Sequence, residues 1–202
     1  MKTGITVTGS GQASAPPDRA SISLGASAVQ PDASAALDEV GQKIDLLITT
    51  LTGIGVRRES LQTTDLSLWA ETARNGEPAG YRARNTLRIE LDDVARVGEI
   101  LRVGLDTIGN GAEMHGVDFS LRDPSVVAAQ ARDLAYQAAM AKAVQLAALT
   151  GRGLGPASSI VESEGRSIEP RMMARMDLGV MPVEAGTTVV TVNLTVRFSL
   201  VG

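Results

Sequence analysis

The stretch Tyr81-Arg82-Ala83-Arg84-Asn85-Thr86-Leu87-Arg88-Ile89-Glu90-Leu91 decides the fold class. Tyr81, Ala83, Asn85, Leu87, Ile89 and Leu91 fall on one face of an extended chain, and Arg82, Arg84, Thr86, Arg88 and Glu90 on the other. Side chains of a strand alternate between faces, so this period of two predicts a half-buried strand. Working upstream, Asn75-Gly76-Glu77-Pro78 supplies a turn, and residues 60–70 read as the partner strand. The partner's alternation slips between Thr63 and Leu66, which predicts a bulge. Further upstream, Ala20, Ile22, Leu24, Ala26 and Ala28 oppose Ser21, Ser23 and Ser27, predicting another half-buried strand over 19–29.

Between and after these strands the apolar period lengthens. Leu37, Val40, Ile44, Leu47, Ile48 and Leu51 recur at three- and four-residue steps, predicting a helix over about 33–52 that Gly53 or Gly55 ends. A second helix over about 93–108 carries Val94, Val97, Leu101, Leu105 and Ile108 inward and stops at Gly109-Asn110-Gly111. Asp123-Pro124 opens a third, Ala-dominated helix over about 124–150, with Asp as cap and Pro where its missing N–H costs nothing. Strands are predicted at 3–8, ending at Gly9-Ser10-Gly11, and at 113–121, 157–163 and 187–200, while 164–186 shows no period. The order ββαββαβαββ predicts an α+β fold, with antiparallel or mixed sheets packed against three helices, one of them long and Ala-rich. It reads as one domain over 1–202, or as two closely packed subdomains of about 1–92 and 93–202.

Composition narrows the function. Hydrophobic residues make up 44% and charged residues 21% of the 202, which excludes a disordered chain. Aromatic residues are scarce, so Val, Leu, Ile and Ala must build the core, and assembly is a natural supplement to it. A net charge of −4 with no Lys/Arg block excludes a counterion-displacing nucleic-acid binder. The absence of cysteine excludes disulfides, thiolate metal sites and Cys nucleophiles. No apolar run approaches the ~20 residues of a membrane-spanning helix. Met1-Lys2-Thr3-Gly4-Ile5-Thr6 enters a strand pattern with no apolar leader, which predicts a cytoplasmic protein, or an exported one whose leader has been removed.

Gly9-Ser10-Gly11 resembles a nucleotide loop only superficially: position 14 is Ser and a strand follows, so a turn is predicted. Gly151-Arg152-Gly153-Leu154-Gly155 follows a helix C-terminus, whose dipole repels anions, and reads as a helix stop. His115 is the one histidine. It would have to serve any Ser–His–Asp hydrolase, yet no nucleophile-elbow pattern exists, and it is expected half-buried on the face of Val117 and Phe119. Ile168, Met172, Met173, Met176, Leu178, Val180 and Met181 fall in the stretch 168–183. Exposed, this apolar segment is an association patch; core packing, Cu(I) ligation and sulfoxide redox chemistry are the alternatives. Arg82, Arg84 and Arg88, with Arg171 and Arg175, pair with a neighbour's acids or form a solvated face.

Ile5-Thr6-Val7-Thr8-Gly9-Ser10-Gly11 followed by Pro17-Asp18-Arg19-Ala20 resembles the opening of the SIMPL (YggE-like) family. Gly55-Val56, Leu61-Gln62-Thr63, Gly80-Tyr81-Arg82-Ala83-Arg84-Asn85-Thr86, Ile108-Gly109-Asn110-Gly111, Gly116-Val117-Asp118-Phe119-Ser120-Leu121 and Ala139-Met140-Ala141-Lys142-Ala143 follow in the family's order. The resemblance implies an α+β fold and bacterial relatives, many exported, among them a periplasmic antigen that forms a ring- or channel-like oligomer. It implies a link to oxidative-stress or envelope defence in some branches, and no shared catalytic set. The expectation is therefore a non-enzymatic homo-oligomer with no cofactor, no metal and no membrane span. Its interface is expected to include Met172, Met173, Met176, Leu178, Met181, Arg171 and Arg175. A small-ligand or Cu(I) module using 168–183 is the alternative, and a hydrolase using His115 the remote one.

Overall fold

The computed structural model describes residues 4–72, 76–163, 167–171 and 184–202. Eight strands and three helices, with two short 3-10 turns, are found among them, an α+β fold as expected. The chain divides into two compact units, one central in sequence (residues 18–120) and one built from residues 4–17, 121–171 and 185–202.

The central unit is a four-stranded antiparallel sheet with two helices on one face. Its strands are β2 (Arg19–Gln30), β3 (Leu61–Thr72), β4 (Pro78–Leu91) and β5 (Ala112–Ser120), in the order β3-β4-β2-β5. Ala20, Ile22, Leu24, Ala26 and Ala28 of β2 are all buried, as their alternation requires. They stand opposite Leu91, Ile89, Leu87, Asn85 and Ala83 of β4. Helices α1 (Ala33–Gly53) and α2 (Val97–Ile108) cover this face. Val40, Ile44, Leu47 and Leu51 of α1 are buried in the same cluster as Val97, Ile100 and Leu101 of α2. Each such side chain contributes about 1.5–3 kcal/mol when fully buried. The expected bulge in β3 is present as a register shift between Thr63 and Asp65.

The terminal unit is one helix on another antiparallel sheet. β8 (Thr187–Val201) pairs on one side with β1 (Gly4–Ala15). Its other side is shared by β6 (Gly153–Glu162) and β7 (Ser167–Arg171). Two expectations are corrected here. First, β1 does not end at Gly9-Ser10-Gly11 in a turn; it runs through them in unbroken register with β8. A Cβ on Gly9 would overlap the carbonyl oxygen of Ala135, and one on Gly11 that of Ala131. Both residues belong to helix α3 (Ser125–Leu149), so the glycines exist to let that helix approach the strand. Second, the aperiodic stretch 164–186 contains β7, five residues long and carrying Pro170, too short and irregular to show alternation.

At its start α3 differs by one residue from the expectation: Pro124 holds the cap position and Ser125 is first in the helix, with Asp123 just outside. The Asp123 carboxylate accepts the Ser125 N–H at 2.8 Å, and the Ser125 contacts hold that carboxyl below its usual range. At the other end Gly151 takes φ +70°, closing the helix. Ala131, Ala135, Ala139, Ala143 and Ala147 are buried at strict four-residue spacing, the first four in one cluster with Val192, Leu194, Val196 and Phe198.

Candidate functional site

Helix α3 lies mainly over β1 and β8, leaving β6 largely uncovered on the same face of its sheet. A trough of about 530 Å³ results, walled by Arg132, Tyr136 and Gln137 of the helix and floored by Ile160 and Leu194. Tyr136 packs against Phe198 with ring centroids 6.3 Å apart. Met140 and Val144 follow Tyr136 along α3 at four-residue steps and do not line the trough. Met140, Val144 and Ile160 are 40%, 53% and 55% exposed, high values for residues of this type on regular elements. The rim is charged: Arg132 clasps Glu162 through Nε at 2.7 Å and Nη2 at 3.2 Å. That contact raises the guanidinium's pKa further and fixes β6 to the helix.

The outer face of the central sheet is polar. Arg84 pairs with Glu113 at 2.6 Å and lies over the Trp69 ring at 5.4 Å. One strand position away, Arg82 grips Glu71 through two bonds of 2.8 and 2.9 Å, which holds the Glu71 carboxyl below its usual range. His115 stands on this face too, correcting the expectation that it shares a face with Val117 and Phe119. A bulge in β5, opposite Ser23 and Leu24, reverses the alternation, so His115 is exposed while Val117 and Phe119 pack on the core.

The chemistry this face offers is limited. His115 Nε2 is 3.4 Å from Thr86 Oγ1 and 3.6 Å from Glu113 Oε2. Nucleophile–base–acid catalysis needs the hydroxyl and the carboxylate on different ring nitrogens. Here both sit at the same one, so no relay assembles around this histidine. Among the described residues no cluster of three or more His, Asp or Glu is arranged to hold a metal ion. No helix among them is long and apolar enough to cross a membrane.

The residues singled out in the sequence distribute unevenly over this structure. Arg82 and Arg84 come together on one face but pair within the unit, with Glu71 and Glu113, rather than standing free. Arg88 is exposed on that face, opposite Ser23. Arg171 ends β7, its backbone opposite Thr187. Met172, Met173, Met176, Leu178, Met181 and Arg175 lie outside the described residues. Gly153 and Gly155 enter β6 rather than a phosphate loop. Sequence reasoning missed the trough. Its one signal was Tyr136, a large side chain on the flank of an Ala-faced helix, and nothing in the sequence tied it to Ile160 and Leu194.

A family model described as SIMPL, protein of unknown function (DUF541), matches residues 5–198. The chain is 27% identical to the 26 kDa periplasmic immunogenic protein of Brucella melitensis, covering 97% of this chain and 84% of that one. The protein of the same description from Brucella abortus gives the same identity and coverage. The uncharacterized protein YggE of Edwardsiella ictaluri is 26% identical over 77% of this chain and 66% of its own. None of these descriptions carries an enzymatic activity. A solved structure of an unknown protein from Galdieria sulphuraria aligns over 90% of this chain and 83% of its own, at 12% identity and a TM-score of 0.24.

Proposed function

The chain belongs to the SIMPL family, and from that premise we propose that it is a non-enzymatic module that assembles with copies of itself. The observation that carries this reading is exposed apolar surface on the terminal unit: Met140 and Val144 of α3 face solvent, as does Ile160 in the uncovered trough on β6. A helix apolar beyond its buried face needs a further partner, and burying these side chains in a neighbour contributes about 1.5–3 kcal/mol each. On this reading they seed the contact with a second copy. Two relatives are described as periplasmic, which supports the exported alternative for this chain. The cytoplasmic expectation draws no support from them.

Light scattering coupled to size-exclusion chromatography tests the reading. At micromolar concentration the mass is expected to be a multiple of 21.0 kDa. Val144→Glu and Ile160→Glu are expected to shift it toward that of one subunit with the circular dichroism unchanged. A monomeric parent protein ends the proposal.

The trough's apolar floor beside Tyr136 carries a second reading, the binding of a small apolar molecule. An apolar ligand would then lie along Tyr136, Ile160 and Leu194. Native mass spectrometry of a monomeric preparation carrying an added mass would select it.

A further inference from the structure

Asparagine is chemically labile when glycine follows it, because no Cβ hinders the glycine nitrogen from reaching the side-chain amide carbon. Two such pairs occur in the chain, Asn75-Gly76 and Asn110-Gly111. The second lies in the exposed turn between α2 and β5. The Ala112 N–H donates to the Gly109 carbonyl at 3.1 Å and closes that turn, with Asn110 and Gly111 at its centre. Gly111 has φ +90°, and a Cβ on it would overlap the Ser27 carbonyl oxygen, so the fold demands glycine after Asn110. Among the described residues nothing accepts the Gly111 N–H, which leaves it open to water and base. A cation is fixed on the same peptide unit. The Lys43 ammonium of α1 donates to the Asn110 main-chain carbonyl at 2.8 Å, and Glu39, one turn earlier, holds that ammonium at 2.8 Å. This carbonyl and the Gly111 N–H belong to one amide. Loss of the N–H proton moves negative charge onto the oxygen that Lys43 faces. A charged donor already in place there stabilises the anion more than the neutral amide.

We infer that Asn110 is a self-modification site, where Lys43 promotes conversion of asparagine to aspartate and isoaspartate through a cyclic imide. Hydroxide takes the Gly111 amide proton, and the nitrogen attacks the Asn110 side-chain carbon. A new C–N bond closes the imide ring. The Cγ–Nδ2 bond breaks, and Nδ2 leaves as ammonia with a proton from water. Water then adds to either imide carbonyl: opening at the side-chain carbon leaves aspartate, and opening at the main-chain carbon leaves isoaspartate. Water is consumed, ammonia is released, and nothing is oxidised or reduced. Either product sets a new carboxylate beside the Lys43 ammonium. Isoaspartate also lengthens the backbone just before Gly111, whose carbonyl accepts the Ser27 N–H at 2.8 Å. That form therefore loosens the start of β5 from β2.

Peptide mass spectrometry of the protein incubated at mildly alkaline pH follows the loss of Asn110, with Asn75 of the same chain as internal reference. Lys43→Met is expected to slow the loss of Asn110 relative to Asn75 roughly three- to tenfold, the effect of one partly exposed charged hydrogen bond. Lys43→Arg, which keeps the charge and the donors, is expected to retain most of the parent rate. Should circular dichroism show Lys43→Met unfolded, the parent protein in urea replaces it: with Lys43 no longer held at the turn, the rate at Asn110 relative to Asn75 is expected to fall. A ratio that stays at the native parent's value overturns the inference. So does an Asn110 that stays intact while Asn75 is lost, or a Lys43→Arg protein as slow as Lys43→Met.

Discussion

In the central unit the space between sheet and helices is filled by Ile22, Leu24, Leu47, Leu51, Leu87 and Ile100. In the terminal unit α3 meets β1 through Ala131, Ala135 and Ala139 over Gly9 and Gly11, with the larger Val192, Leu194, Val196 and Phe198 supplied by β8. One interface is built on volume and the other on proximity. Interdigitated leucines bury much area and lose much when truncated, but they leave room for adjustment. A helix pressed backbone-to-backbone on a strand gains dense dispersion contact from small groups and tolerates no added atom. The terminal unit also spends fewer large side chains on its own core, and Met140, Val144 and Ile160 stay exposed.

The largest effect that separates the two modes is expected at Gly11. A Cβ there would strike the Ala131 carbonyl and the Ala135 N–H, which are backbone atoms and cannot rotate away. Gly11→Val is expected to cost about 4 kcal/mol or more, the range reserved for overpacking with no escape. Gly41, in the middle of α1, has open space where its Cβ would be. Gly41→Ala is expected to stabilise by about 0.5–1 kcal/mol through helix propensity alone. Urea unfolding measures both. A Gly11→Val protein within about 1 kcal/mol of the parent would show that the helix can lift off the strand, and the contrast would fail.

Truncation should reverse the ranking. Leu47 is fully buried in the central cluster, and Leu47→Ala is expected to cost about 2–5 kcal/mol, transfer and cavity together. Ala135→Gly, at an equally buried position of α3, removes one methyl and adds backbone freedom, for a cost of about 1–2 kcal/mol. Equal costs at the two sites would mean that the cores do not differ in the way proposed.

The same contrast explains what the sequence made legible. Where large side chains do the packing, they mark their own faces. The buried set of β2 and β4 was readable from alternation, and α1 from its stripe, to within a residue of its observed bounds. Where packing depends on what is missing, the marks vanish. Gly9 and Gly11 read as a turn because a strand residue without a side chain shows no alternation. The four-residue alanine spacing of α3 has little amphipathic signal, since its buried face is no more hydrophobic than its flanks. His115 was assigned to the wrong face because a one-residue bulge leaves no trace in composition. The trough was hidden for a related reason: it is set by how far α3 covers its sheet, a long-range outcome of where the alanines sit.

The smallest expected effect concerns charge in the central unit, where Lys43 and Gln30 converge on Glu39. The Lys43 ammonium lies 2.8 Å from Glu39 Oε1 and also donates to the Asn110 carbonyl at 2.8 Å, and the Gln30 amide lies 2.6 Å from Glu39 Oε2. The contact with Lys43, then that with Gln30, holds the Glu39 carboxyl below its ordinary value. A carboxyl depressed in the folded state binds its proton more weakly there than in the unfolded chain. Its stabilisation is therefore complete above the unfolded pKa and is lost as pH falls through the folded one. Because the pair is about one-third exposed, water screens most of it, and the contribution is expected at about 0.5 kcal/mol or less. Glu39→Gln should lower the urea midpoint slightly near neutral pH, with the difference from the parent closing in acid below the carboxylate range. A difference that persists undiminished in acid would mean that the Gln30–Glu39–Lys43 contact acts through shape, bringing even the polar rim of this unit under the packing rule that governs its core.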